Sequence, residues 1–177
     1  FATLITSEGS EISVTHLPLV FNLTGTILTG HFALGNGHQQ LFRKTNHTKA
    51  VFNGGDAYIS PKYYEKQPSF IPTWNYLSAL VTGSCKLLSR EETKEHLNIM
   101  LTKLEKNLNY NQIPSEISEV ALSHIVGFEM KIDSITGIKK LGQHQPKEEQ
   151  LSEIKHLYKN GDQDLIFAKK MKKWIGE

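Results

Sequence analysis

The stretch "FIPTWNYLSALVTGS", residues Phe70 to Ser84, decides how the chain is read. Pro72 and Thr73 lead into a run rich in β-branched and aromatic residues, the composition of a strand. At the mouth of that strand stand a rigid proline, a hydroxyl, an indole and a side-chain amide. Two readings follow and remain open from the residues alone. One is a packed aromatic corner, since burying a tryptophan removes about 150–250 Å² from water, worth roughly 4–6 kcal/mol at most. The other is a pocket for a planar polar ligand, with Thr73 and Asn75 as donors and acceptors and Trp74 or Tyr76 as a stacking wall. "AYISPKYY", Ala57 to Tyr64, repeats the theme of aromatic rings around a proline and a hydroxyl.

Outward from this stretch, residues 1 to about 88 read as short β runs: "ATLIT", "EISVTHLPLVF", "GTILTGHFAL", "KAVFNG", "AYIS" and the strand after Pro72. Breaks are expected at Ser7 to Ser10, Asn22 to Gly25, Gly35 to Gly37 and Gly54-Gly55. Strands this short and this numerous imply a closed or nearly closed antiparallel barrel, because closure removes sheet edges. From Ser89 the period becomes helical. Ser89 and Glu92 form a capping box, and Leu97, Met100, Leu101, Leu104 and Leu108 make an apolar stripe. A second helix is expected from Pro114-Ser115 with Ile117, Val120 and Ala121 buried. "HIVGFEMKID" returns to β alternation with Val126, Phe128, Met130 and Ile132 on one face. The tail from Lys147 reads as two helices broken at Asn160-Gly161. These elements give an α+β, mainly β chain, with a barrel domain over 1–146 that includes inserted helices at about 89–123, and a helical tail over 147–177.

The 177 residues fit one domain with a sizeable core, and the net charge of +2 lacks the basic excess of a dedicated nucleic-acid binder. The single cysteine, Cys85, lies in an apolar run and reads as a core residue. No run of about 18 apolar residues occurs, which points to a soluble, cytoplasmic protein with no membrane partner. The chain opens at Phe1 within a strand, so an N-terminal segment is expected to be missing.

Chemistry-bearing motifs are mostly excluded. The eight histidines show neither HExxH nor a Cys/His zinc spacing, so no metal site is expected. His16 shares a strand face with Ile12 and Val14, and His31 one with Ile27 and Thr29; both are candidates to face a pocket. His38, His47, His96 and His156 read as surface residues. "GHFALGNG" and "FNGGDAY" fit no phosphate-binding glycine loop, and neither a nucleophile elbow nor a carboxylate pair is present. The four lysines of "AKKMKKWIGE" are the one basic cluster, read as a solvated face.

Six motifs occur in order: "HLPLVF" (His16 to Phe21), "GHFALGN" (Gly30 to Asn36), "VFNGGDAYISPKYY" (Val51 to Tyr64), "IPTWNY" (Ile71 to Tyr76), "IVGFEMKI" (Ile125 to Ile132) and "KKLGQHQP" (Lys139 to Pro146). Together they resemble the PaiB family of FMN-binding, split-barrel transcriptional regulators. The resemblance implies a split β-barrel homodimer similar to pyridoxamine phosphate oxidases, with FMN in a cleft between subunits. Carried residue by residue, the cofactor-binding positions are His16, His31, Thr73, Trp74, Asn75, Lys140 and Gln143. It further implies a negative regulator that senses flavin, with any DNA contact made by the dimer surface or the missing N-terminus. The alternative is an FMN-dependent NAD(P)H oxidoreductase. Against the family pattern, Leu34 and Gly142 to Gln145 depart: Leu34 replaces an arginine, Gly37 a proline, Gly142 a serine, His144 an asparagine and Gln145 an arginine. Two cations and a hydroxyl are thereby absent from places suited to a phosphate, which Lys139, Lys140 and His144 are expected to offset in part.

Overall fold

A computed structural model describes residues 1–45, 47–66, 71–106 and 108–176. Phe70, the first residue of the stretch quoted above, lies outside them. In chain order the elements are β1 (Ala2–Glu8), β2 (Glu11–Leu17), β3 (Val20–Phe21), β4 (Ile27–Ala33), α1 (His38–Leu41), β5 (His47–Ile59), β6 (Thr73–Leu87), α2 (Arg90–Leu104), α3 (Ser115–Ser123), β7 (Ile125–Lys140), α4 (Lys147–Leu157) and α5 (Asp162–Trp174). The strands form one seven-stranded sheet in the order β2-β1-β5-β6-β7-β4-β3. β1 runs antiparallel to β2 and β5, and β4 antiparallel to β3 and β7.

Contacts divide the chain into two compact units. The first comprises Phe1–Phe52 and Leu80–Ile135, the second Asn53–Ala79 and Thr136–Glu177. β5, β6 and β7 each contribute a segment to both.

In the first unit, alternating inward residues of β1, β4, β5 and β7 bury one core: Leu4, Leu28, Phe32, Ala50, Phe128 and Met130, with Val81 and Cys85 from β6. Phe32 stacks on Phe128 at 4.7 Å and meets Phe42 edge-on at 5.5 Å. The expected core role of Cys85 holds, and burial pushes its thiol pKa up to about 12. α2 begins with the capping box read from the sequence: Ser89 Oγ accepts from the Glu92 amide at 3.1 Å, and the Glu92 carboxylate accepts from the Ser89 amide at 2.8 Å. Its apolar stripe is shorter than the spacing implied. Leu97, Met100 and Leu101 pack with Tyr110, Leu122 and Ile125, while Leu104, the last residue of the helix, and Leu108 beyond it are exposed.

α3 also presents a different face from the one expected. Ser118 and Leu122 are buried, and Ile117 and Val120 are exposed. Leu122 packs in one cluster with Leu97 and Tyr110, and the Tyr110 hydroxyl donates to the Ser118 carbonyl at 3.1 Å.

The second unit has its own core, formed by Ala57 and Ile59 of β5, Leu141 just after β7, Ile154 and Leu157 of α4, and Phe167, Ala168 and Met171 of α5. The break expected at Gly54-Gly55 is instead a distortion within a continuous β5. Gly55 has φ +102°, a left-handed value that favours glycine, and its amide donates to Asn53 Oδ1 at 2.7 Å. The tail forms two helices, and the break expected at Asn160-Gly161 falls between α4 and α5, where Gly161 has φ +118°.

Candidate functional site

The residues singled out from the sequence fall into two groups, one in each unit. In the second unit, β6 opens at Thr73, and strand alternation sends Thr73 and Asn75 to one face and Trp74 and Tyr76 to the other. Lys140, the last residue of β7, donates its ammonium to the Thr73 hydroxyl. The ammonium keeps two further N–H donors and Thr73 its O–H, a compact cation-and-hydroxyl set of the kind that holds a phosphate. Trp74 is 54% exposed, so the plain packed corner does not hold for it. Tyr58 meets it edge-on at 5.8 Å, holding the indole while leaving ring surface open.

Asn75 is buried, and its side-chain amide donates to Glu153 Oε2 at 3.0 Å. Gln143 is exposed but occupied within its own loop: it accepts from the Leu141 amide at 2.7 Å and donates to the Lys139 carbonyl at 2.8 Å. The structure thus brings Thr73 and Lys140 together beside Trp74. It turns Asn75 inward and uses Gln143 to shape the turn.

Glu153 is the residue of this group that the sequence did not reveal. It lies on α4, far along the chain from Asn75, with nothing in spacing to link them. It has no exposed surface, and its Oε1 has no hydrogen-bond partner among the described residues. Burial raises its pKa to about 7, and the nearby Glu149 adds to the rise against opposing hydrogen bonds from Tyr64 and Asn75. Tyr64 is in turn held well above its ordinary value, first by burial and then by Glu153. Glu149, one helical turn away, accepts from the backbone amides of Glu65 and Lys66 at 2.9 and 3.1 Å. Gly142 closes over Glu153: its φ is +68°, and a Cβ there would lie 3.1 and 3.2 Å from the carboxyl oxygens. Of the cations expected to serve the phosphate end, Lys139 instead sits over the Trp174 ring at 4.6 Å.

In the first unit, His16 is exposed on β2 with its Nδ1 3.0 Å from the Thr3 hydroxyl. His31 is half-buried on β4, and its Nδ1 lies 3.1 Å from Nε2 of His96 on α2. Nδ1 of His96 lies 2.9 Å from the Thr29 hydroxyl. His38 and His96, read as surface residues, are both buried. The reason is polar satisfaction: each has partners for both ring nitrogens, His38 with Thr15 at 2.9 Å and Thr6 at 2.8 Å. Burial lowers the pKa of both to about 4, helped for His96 by neighbouring His31, and burial lowers His31 as well. His47 is exposed as expected, and His156 is half-buried and stacked on Tyr63 at 4.8 Å.

A family model described as "Putative FMN-binding domain" matches residues 1–134. The chain is 34% identical over 163 residues to protease synthase and sporulation protein PAI 2 of Bacillus subtilis, covering 89% of this chain and 78% of that one. Among solved structures, an FAD- and heme-binding protein from Mycobacterium smegmatis superposes with a TM-score of 0.58 at 14% identity, over 85% of this chain and 70% of that one. The conserved hypothetical protein Rv2991 of Mycobacterium tuberculosis gives a TM-score of 0.59 at 9% identity, over 82% and 80% of the two chains. The likeness establishes the fold as a split β-barrel with flanking helices.

Proposed function

Because the chain belongs to the PaiB family of FMN-binding-domain proteins, we propose that it binds FMN and acts as a flavin-responsive negative regulator of transcription in the cytoplasm. The observation that carries the cofactor reading is the pairing of Lys140 with Thr73 beside the open face of Trp74. The ammonium and hydroxyl suit the phosphate, and the indole suits the edge or face of the ring system. His16 and His31, in the first unit, are further positions that the family pattern carries over. Bound FMN supplies a reversible redox centre, and the residues around it set affinity and orientation. Leu34 is exposed and brings no cation where the family pattern has an arginine.

The regulator is a homodimer in this reading. Ile12 and Val14 are exposed on β2, an end strand of the sheet, which leaves an apolar face for a second copy to cover. DNA contact falls to the dimer surface in this reading, and the α5 lysines Lys169, Lys172 and Lys173 are exposed, as a solvated face would be.

Titration of the purified protein with FMN, followed by flavin fluorescence, tests the reading. Saturable quenching is expected, and no quenching at high micromolar FMN sinks it. Lys140→Ala is expected to weaken FMN roughly 10- to 150-fold, the range for losing a hydrogen bond to a charged group. Steady consumption of NADPH under air by the FMN-loaded protein would favour the oxidoreductase alternative over a regulator.

A further inference from the structure

Thr29, His31 and His96 form a chain of hydrogen-bonding groups within the first unit, and the chain has a direction. A neutral imidazole donates from one nitrogen and accepts at the other. Protons along the chain therefore all point from Thr29 toward His31, or all from His31 toward Thr29. The Thr29 hydroxyl also lies 3.5 Å from the Val20 carbonyl, a group that only accepts. With its proton on Val20, Thr29 accepts from Nδ1–H of His96 at 2.9 Å, and Nε2 of His96 accepts from Nδ1–H of His31 at 3.1 Å. The opposite direction gives up the Thr29–Val20 contact, a weak one at 3.5 Å. Burial of both rings disfavours charging either one, so the chain stays neutral.

The support under His96 is closely packed. Thr93, one turn earlier on α2, occupies the space that a Cβ at Gly127 would need, and Gly127 pairs with His31 in the β4–β7 register. α2 is therefore seated directly on β7 beside His31, which fixes the His96 ring against β4.

We propose that His96 is a positioning residue that holds His31 in its Nδ1–H form, so that His31 Nε2 is a fixed acceptor for an N–H or O–H donor of a bound ligand. The ligand assignment rests on the flavin reading. In FMN the imide N–H of the ring system is such a donor, whereas the phosphate is an anion that a lone pair repels. His31 then reads a ring N–H of the cofactor and not an anionic group.

Long-range proton–nitrogen NMR of the ¹⁵N-labelled protein at neutral pH tests this. His31 is expected to show a protonated Nδ1 and an unprotonated Nε2. A protonated Nε2 in the parent protein overturns the proposal without need of any variant. In His96→Ala the His31 ring is expected to return to the Nε2–H form preferred in water; retention of the Nδ1–H form removes the role of His96. FMN is expected to shift the Nε2 signal, and inorganic phosphate at equal concentration to leave it unmoved. A shift with phosphate alone, or FMN binding that leaves Nε2 unmoved, refutes the ligand assignment. A parent protein that binds no FMN yet shows the Nδ1–H form overturns the flavin reading and upholds the part assigned to His96.

Discussion

Glu153→Gln isolates the energetics of the buried carboxyl under Asn75. Its ordinary value of 4.5 is raised to about 7 in the folded protein, so the folded state holds a proton that the unfolded chain releases. A carboxyl raised in this way contributes stability that is fully present below about pH 4.5 and is lost as pH rises to about 7. The difference of about 2.5 units corresponds to ~3 kcal/mol at about 1.36 kcal/mol per unit. Glutamine keeps the acceptor for Asn75 and carries no charge at any pH. The variant is therefore expected to match the parent within about 1 kcal/mol at pH 5 and to exceed it by up to ~3 kcal/mol at pH 8. Urea unfolding at the two pH values, with the m-value checked for constancy, measures the difference. A parent–variant gap that is the same at pH 5 and pH 8 would show that Glu153 is charged in the folded protein throughout, and would refute the reasoning.

The other expectations concern the histidine core and the close backbone approaches. His38 is neutral in the fold with a pKa of about 4 against 6.5 unfolded, so stability falls as pH drops from about 6.5 to 4, by ~3 kcal/mol from this residue; thermal melts of His38→Gln should show a flatter acid limb than the parent. Gly142→Ala places a methyl in a left-handed backbone against Glu153 and is expected to cost about 1–2 kcal/mol, read as a lower urea midpoint. Gly83→Ala drives a Cβ into the Lys131 carbonyl on the neighbouring strand, and a loss of 2 kcal/mol or more, by the cost typical of overpacking, is expected in denaturation; an unchanged midpoint would refute the close approach. Trp74→Ala should leave stability nearly unchanged, because the ring is half-exposed, yet weaken FMN; unchanged FMN affinity removes the stacking assignment.

The parts of this architecture that local signals encode were legible in the sequence. The capping box at Ser89, the alternation of β7 and the break before α5 are each written within a few neighbouring residues, where period and turn chemistry act. The misplaced stripes on α2 and α3 show the limit. Leu104 continues the apolar spacing of α2 and still faces solvent, because among the described residues the helix packs through Leu97, Met100 and Leu101. His96 looked polar and therefore external, but its partners Thr29 and His31 come from a strand more than 60 residues away. Polar residues buried by long-range pairing leave no local trace, and Glu153 under Asn75 escaped for the same reason. Gly30, Gly83 and Gly127 carry no local sign of why glycine stands there. What requires them is a neighbouring side chain or carbonyl, visible only once the strands and α2 are assembled.

The division of the chain into two units distributes its spectroscopic groups unevenly. The sole thiol, Cys85, is sealed in the first unit, while both indoles, Trp74 and Trp174, belong to the second. Each half therefore carries its own intrinsic clock. Capture of the thiol by a disulfide reagent times the opening of one half, and the change in indole emission times the other. Coincident rates would mark a single cooperative unfolding event, and separate rates would show that the two halves of the same long strands come apart in sequence.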